Sequence, residues 1–446
     1  MNLLDNKRTQ LLAALDKIKT SFWFIPSLLV VSALVAAVLF ICIDRFSGLN
    51  QLDALHQVYQ IKPDAARELL TTIAASMMTV VSIAFSITIV ALTLASSQFG
   101  PRLIRNFMND SGTQIVLGLF IANFVYCLSI VRAIDAFADA DYVPGLSIVW
   151  CLFITLVSVF FLIFFIHHVA HSIQADNVID DVYQELEQSV ESLFPSSHSS
   201  SELHNTAIDD DYGTQHFSHH SEIISETSGY LQAIDFKALI KLMCEHDAVA
   251  QIKIKAGDFV VKDMPMITLH HHEPVDNALT AQLRNCLTLG SKRSPIQDPE
   301  FAVHQLVEIA LRALSPGIND PYSALTCVDK LTATLCLLTS KTFPQGGYLD
   351  QQGTLRLQYK SVTFSGIGNA AFDQIRQYSQ TCLAISIRQL ESLDKIVRQA
   401  KHAEHLDFVK RQATMIKQGL EQQQITDTDC QDYRQRLDHI YQQLPN

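Results

Sequence analysis

The stretch that decides the fold is Leu69–Asn106, LLTTIAASMMTVVSIAFSITIVALTLASSQFGPRLIRN. No charged residue stands between Glu68 and Arg102, so the segment reads as a membrane-spanning helix. It is nonetheless dense in hydroxyls, and they are ordered. At about 100° per residue, Thr72, Ser76, Thr79, Ser82, Ser86, Thr93 and Ser97 fall within about a third of the helix circumference. Ile83 and Val90 share that arc. Such a helix is expected to turn its hydroxylated face from lipid, toward another helix or a water-filled path.

Around this segment the chain divides by composition. It has 446 residues, 48% of them hydrophobic and only 17% charged, below the roughly 25% of a soluble domain. The apolar excess lies in the first 170 residues, which predicts a membrane domain followed by a soluble one. A net charge of −12 argues against nucleic acid as a partner, since no basic stripe could neutralise phosphates. The nine cysteines contain no CxxC. They read as reduced core residues facing a cytosolic compartment, not as a disulfide or zinc framework. No cofactor is expected.

The fold class predicted is a mainly α membrane protein: four transmembrane helices, then an α+β region with a small β-rich module and a helical domain. The spans fall at about 22–43, 69–97, 113–134 and 145–168 within a transmembrane domain of residues 1–175. Asp44 and Arg45 close the first apolar run, which is long enough to be retained as a span and not cleaved as a signal peptide. Gly100-Pro101 breaks the second span before Arg102 and Arg105. Lys7, Arg8, Lys17 and Lys19 precede span one, while Asp44, Asp53, Asp64, Asp135, Asp139 and Asp141 follow spans one and three. That bias places both termini in the cytoplasm.

Residues 176–228 are expected to form a helix leaving the membrane and a flexible linker rich in Ser, His and Asp. Residues 229–273 read as the β-rich module. There Ala250, Ile252 and Ile254 alternate with polar neighbours, and Gly257-Asp258 turns into a return strand at Phe259. Residues 274–366 read as a helical domain with a short hairpin at Gly353–Phe364, and 367–446 as amphipathic helices suited to packing or oligomer contacts. Asp298-Pro299 and Asp320-Pro321 each start a helix, the aspartate accepting from first-turn N–H groups and the proline losing no useful donor.

Four blocks carry a resemblance: FSITIVALTLASSQFGPRLIRNF (Phe85–Phe107) with the GTQIVLGLF that follows, GDFVV (Gly257–Val261), QDPEFAVHQLVEIALRALSPGINDPYSA (Gln297–Ala324) and FDQIRQY (Phe372–Tyr378). With these the chain resembles the bacterial membrane proteins grouped as domain of unknown function 2254. The resemblance implies a bacterial inner-membrane protein and carries no established activity or catalytic residues. GDFVVKDMP (Gly257–Pro265) is also similar to the hairpin of lipoyl and biotinyl carrier modules. Asp263 stands at that pattern's second glycine and no lysine sits at a hairpin tip, which leaves a structural adaptor as the reading.

Each candidate site has two readings. The hydroxyl stripe is either a permeation wall, with Ile83 and Val90 as constrictions that gate by dewetting, or a packing seam of small and hydroxylated residues. His167 and His171 share a helical face at the end of span four; they are a weak metal candidate or interfacial anchors. The linker histidines His198, His204, His216, His219 and His220 could capture metal only by ordering a flexible chain, and His270-His271-His272 is expected to cap a surface loop. Ser315-Pro-Gly-Ile-Asn-Asp-Pro321 either binds a ligand through Asn319 and Asp320 at a helix N-terminus, or is a rigid turn in which Gly317 supplies permissive backbone and Asp320 a cap. No catalytic triad, P-loop or carboxylate pair is evident. The leading expectation is a homo-oligomeric inner-membrane ion channel or pore-like protein with a cytoplasmic regulatory domain, its partners being the lipid bilayer, further copies of itself and ions. The alternatives are a membrane scaffold or sensor that binds a protein partner, and a membrane-bound hydrolase.

Overall fold

The computed structural model describes residues 22–46, 62–100, 110–137, 143–194, 204–207, 217–272, 274–379, 382–423 and 425–444. The chain forms two compact units, Met1–Asn177 and Val178–Asn446. The first holds four helices long and apolar enough to cross a membrane: α1 (Phe24–Phe46), α2 (Pro63–Phe99), α3 (Ser111–Ala136) and α4 (Gly145–Ser172). They match the spans read from hydropathy to within a few residues, apart from α2. That helix starts at Pro63, six residues before the expected start, because Pro63 and Asp64 suit a helix N-terminus and no breaker stands before Leu69. Gly100, at φ 115°, ends it by donating to the Ser96 carbonyl at 3.2 Å. Pro101, Arg102 and Arg105 lie outside the described residues, as do the basic N-terminal tail and the acidic loop residues Asp53, Asp139 and Asp141.

Of the four, α3 is the most buried, with Val116, Phe120, Tyr126, Cys127, Ile130 and Ile134 closed to solvent. A Cβ at Gly118 would lie 2.7 Å from Leu29 Cδ1 and 2.9 Å from Pro26 Cα. The small residue is what lets α1 approach α3 so closely.

Helix α5 (Ala175–Leu193), which begins at the end of the first unit, buries Val178, Ile179, Val182, Leu186 and Val190 of the second along one stripe. The strands are β1 (His204–Ala207), β2 (His219–Ile224), β3 (Gly229–Ile234), β4 (Val249–Ile252), β5 (Phe259–Val260), β6 (Pro265–His271), β7 (Leu287–Gly290), β8 (Gly346–Leu349) and β9 (Leu355–Tyr359). They form a six-stranded sheet in the order β1-β8-β9-β4-β6-β2 and a three-stranded sheet in the order β5-β3-β7. Helices α6 (Phe236–Glu245) and α7 (Asn277–Asn285) belong to this β-rich part. The rest is helical: α8 (Glu300–Ala313), α9 (Pro321–Leu338), α10 (Phe364–Tyr378), α11 (Leu383–Gln399), α12 (Ala403–Glu421) and α13 (Asp427–Gln443).

Three expectations change here. The Ser/His/Asp stretch is not all linker, because β1 and β2 lie in it; β2 pairs with β6, about fifty residues away, where no local pattern could announce it. The strand after Gly257-Asp258 does not return along β4. Instead β5 pairs with β3, while β4 pairs antiparallel with β6 and parallel with β9. The hairpin is β8–β9, so it starts upstream of Gly353, and the helix α10 begins at Phe364 where Thr363 caps it. Asp263 has φ 66°: a left-handed residue is what this turn requires, and aspartate supplies it in place of glycine.

Candidate functional site

The hydroxyl stripe of α2 lies on the outer surface of its own bundle. Thr72, Ser76, Thr79, Ser82, Ile83, Ser86, Val90, Thr93 and Ser97 are all exposed, Ile83 at 55% and Val90 at 63%. The face that α2 buries is made of Ala66, Leu70, Ala74, Met77, Val81, Ala84, Ala95 and Phe99. At about 100° per residue that face is centred about 170° from the stripe. Among the described residues no helix of the bundle covers this face. The hydroxyls bond their own helix: Thr72, Ser76, Thr79, Ser82 and Thr93 donate to the carbonyl four residues back, at 2.7–3.0 Å. They need no partner elsewhere and remain free to accept. Leu92, opposite the stripe, is half-buried and lines a cavity of about 150 Å³ with Phe85, Thr88, Asp110 and Val169.

The bundle interior holds a second polar line that is not apparent from hydropathy. On α4, Ser147, Cys151, Thr155 and Ser158 recur at helical spacing and face inward. Asn123 Nδ2 donates to Thr155 Oγ1 at 3.1 Å. Cys127 Sγ and Cys151 Sγ lie 3.1 Å apart, although they are far apart in sequence. The Tyr126 hydroxyl donates to the Ser147 carbonyl at 3.2 Å. At the line's end stands Asp44, which is buried. It accepts from Leu146 N and Ser147 N at 3.0 Å and from Ser147 Oγ at 2.6 Å. Pro144 offers α4 no side-chain cap, so a carboxylate from α1 satisfies the orphan donors of α4. Beyond Ser158 the line stops at Phe120, Phe165 and Val169, which are apolar.

At the other end of the bundle Asp110 caps α3, accepting from Gly112 N, Thr113 N and Thr113 Oγ, and lies 2.8 Å from His168 Nε2. Burial alone would raise the Asp110 pKa; the bonds from Thr113 and the nearby His168 outweigh it and hold the carboxyl below its usual value. His167 and His171 stack with ring centroids 6.1 Å apart, and His171 Nδ1 lies 3.1 Å from Asn177 Nδ2. Among the described residues no group of three or more His, Cys, Asp and Glu could hold a metal ion. His219 and His220 pair across strands with His271 and His270, so His270 and His271 sit within β6 and do not cap a loop. His198, His216 and the side chain of His204 lie outside the described residues.

In the turn before α9, Asp320 caps the helix: Oδ1 accepts from Ser323 N at 3.2 Å and Oδ2 from Ser323 Oγ at 2.5 Å. Ser315 Oγ donates to the Arg312 carbonyl, and the Ser315 carbonyl accepts from Asn319 N at 2.8 Å. The left-handed residue is Asn319, at φ 50°, and not Gly317, beside which a Cβ would meet nothing. Asparagine tolerates that backbone region better than most residues. Asn319 is exposed, and both Asp320 oxygens are engaged in the cap.

The structure also joins two blocks that are separate in sequence. Gly257 has φ 93°, and a Cβ there would run into the Asp298 carboxylate. Asp298 is buried, pairs with Arg293 at 2.6 Å and accepts from Glu300 N. Burial pushes its pKa above the usual carboxylate value although Arg293 opposes this. Gln297 makes two bonds to Ile234, accepting from its N–H and donating to its carbonyl, while Lys255 pairs with Glu300. Beside this joint lies a cavity of about 210 Å³, whose lining includes Phe236, Tyr348, Tyr359, Lys255 and Lys360.

The chain matches the family described as "Predicted membrane protein (DUF2254)" over residues 19–395. An uncharacterized protein of Mycobacterium bovis is 28% identical over 422 residues, covering 94% of this chain and 79% of that protein. Uncharacterized proteins of two Mycobacterium tuberculosis strains are 28% and 27% identical over the same coverage. No solved structure matches the chain. The matched region takes in all four spans and most of the second unit, and the chain belongs to this family of membrane proteins.

Proposed function

We propose that the protein is a homo-oligomeric, pore-like protein of the bacterial inner membrane, with both termini cytoplasmic. In this reading α2 stands nearest the oligomer axis and the second unit is a cytoplasmic regulator of ion passage. The observation that carries it is the outward exposure of the whole hydroxyl stripe, opposite the face by which α2 joins its bundle. The exposed face of α4 is apolar by contrast, with Leu156, Phe160 and Ile163, and that of α1 is mostly so, with Leu28, Val31, Val35 and Val38 beside Ser27 and Ser32. Bilayer-facing surfaces are built that way. A hydroxylated face suits other copies of α2 or water, and copies that meet through it enclose an axis lined by Ser86, Thr93 and Ser97. Ile83 and Val90 then form apolar rings that close a narrow path by dewetting.

Single-channel recording on purified protein in planar bilayers tests this directly. Discrete conductance steps are expected. Silent bilayers together with a monomeric mass in native detergent complexes would leave no place for the pore.

A further inference from the structure

We propose that the cavity beside the Gly257–Asp298 joint binds a small amphipathic monocarboxylate, a single-ring or short-chain acid. Its walls are aromatic: Phe236 and Tyr359 have ring centroids 4.8 Å apart, and Tyr348 stacks on Tyr359 at 5.5 Å. Phe194 and Ile234 contribute apolar surface that is nearly closed to solvent. The charged residues lining it are Lys255 and Lys360, with no aspartate or glutamate among them. The Lys255 ammonium is neutralised by Glu300, and Lys360 has no ion-pair partner among the described residues. The site thus carries about one uncompensated positive charge over an apolar body, which matches one carboxylate. A phosphate dianion would call for the arginines or open helix N-terminus that such groups use; here Asp298 occupies the first turn of α8 and Arg293 is bound to it. Burial and the neighbouring Tyr348 raise the Tyr359 pKa, so its hydroxyl adds no negative charge to the site.

The volume, about 210 Å³, is below the roughly 300 Å³ at which pockets for drug-sized ligands begin, which limits the ligand to a ring or a short chain. Leu193 and Phe194, at the end of α5, also line the cavity. Helix α5 starts three residues after the end of the last span, so a ligand touches the segment that leaves the membrane. Any effect on conduction rests on the reading proposed above; binding does not.

The test uses full-length protein in lipid nanodiscs and the probe 4-(trifluoromethyl)benzoate, followed by fluorine NMR against empty nanodiscs. Saturable line broadening in the millimolar range or below is expected, with 4-(trifluoromethyl)benzamide at least about tenfold weaker because it lacks the charge. Lys360→Glu should weaken the acid at least about tenfold, and Lys410→Glu, on an exposed helix surface remote in sequence, should not. Val362→Phe, which fills the cavity without changing charge, should weaken acid and amide alike. Circular dichroism checks that each variant is folded. Absence of saturable binding to wild type, or equal affinity for the acid in wild type and Lys360→Glu, overturns the proposal whatever the conductance measurements show.

Discussion

Helices α2 and α4 are both long apolar spans, but they distribute their polar groups in opposite ways. On α4 the hydroxyls and thiol face inward, where Ser147 meets Asp44, Cys151 meets Cys127 and Thr155 meets Asn123; its outward face is Leu156, Phe160 and Ile163. On α2 the buried face is Ala, Leu, Met, Val and Phe, with Thr88 half-buried beside it, and the hydroxyls of the stripe point out. Hydroxyl content alone therefore says little about a span. What matters is which face carries the hydroxyls, and that is set by the neighbouring helices. The polar groups of α4 bond across the bundle, whereas Thr72, Ser76, Thr79, Ser82 and Thr93 of α2 bond back to their own helix.

The contrast can be broken by mutation. Asp44→Ala leaves two buried N–H groups and the Ser147 hydroxyl without their acceptor, and should cost about 3 kcal/mol in reversible unfolding in mixed detergent; Asp44→Asn should recover part of it. Ser158→Leu forces a larger side chain into a closed site on the inner face of α4 and should cost about 2 kcal/mol. Ser82→Leu, on the outer face of α2, should stay within about 0.5 kcal/mol in the same assay on the monomer. Equal losses at Ser158 and Ser82 would mean that the two faces are not different in kind. The second unit's own acidic cap falls between the last two. Asp320→Ala should lower stability by about 1 kcal/mol, and Asp320→Asn should restore it, as both residues cap well. Loss of function with unchanged stability in Asp320→Ala would point to a ligand at that turn.

The spans, the Asp320 cap and the stripe itself are legible in the sequence because each is local: a hydropathy window, an Asp-Pro pair, a 100° periodicity. What lies between distant residues is not. The carboxylate that caps α4 comes from a residue about one hundred positions away, and no spacing rule links Asp44 to Ser147. The same holds for β2 on β6 and for the parallel pairing of β4 with β9, which recruits the hairpin into the β-rich part. Gly317 attracts attention as a glycine in a turn, yet the positive φ falls on Asn319, since a turn's sequence shows which residues tolerate that region and not which one adopts it. Leu92 lies far from the stripe in helical angle, which on a stripe turned inward would put it on the outer face. Once the stripe is outside, that distance places Leu92 toward the bundle.

The central claim, that the outer face of α2 lines a path, is tested most directly by cation flux from liposomes containing wild type, Val90→Ser or Phe160→Ser. Both substitutions place a hydroxyl on an exposed apolar position, one on the stripe of α2 and one on the lipid-type face of α4. If copies meet through the stripe, Val90→Ser wets the constriction and raises flux above wild type, while Phe160→Ser leaves it unchanged. Equal flux from all three proteins, each folded and inserted, would contradict the account.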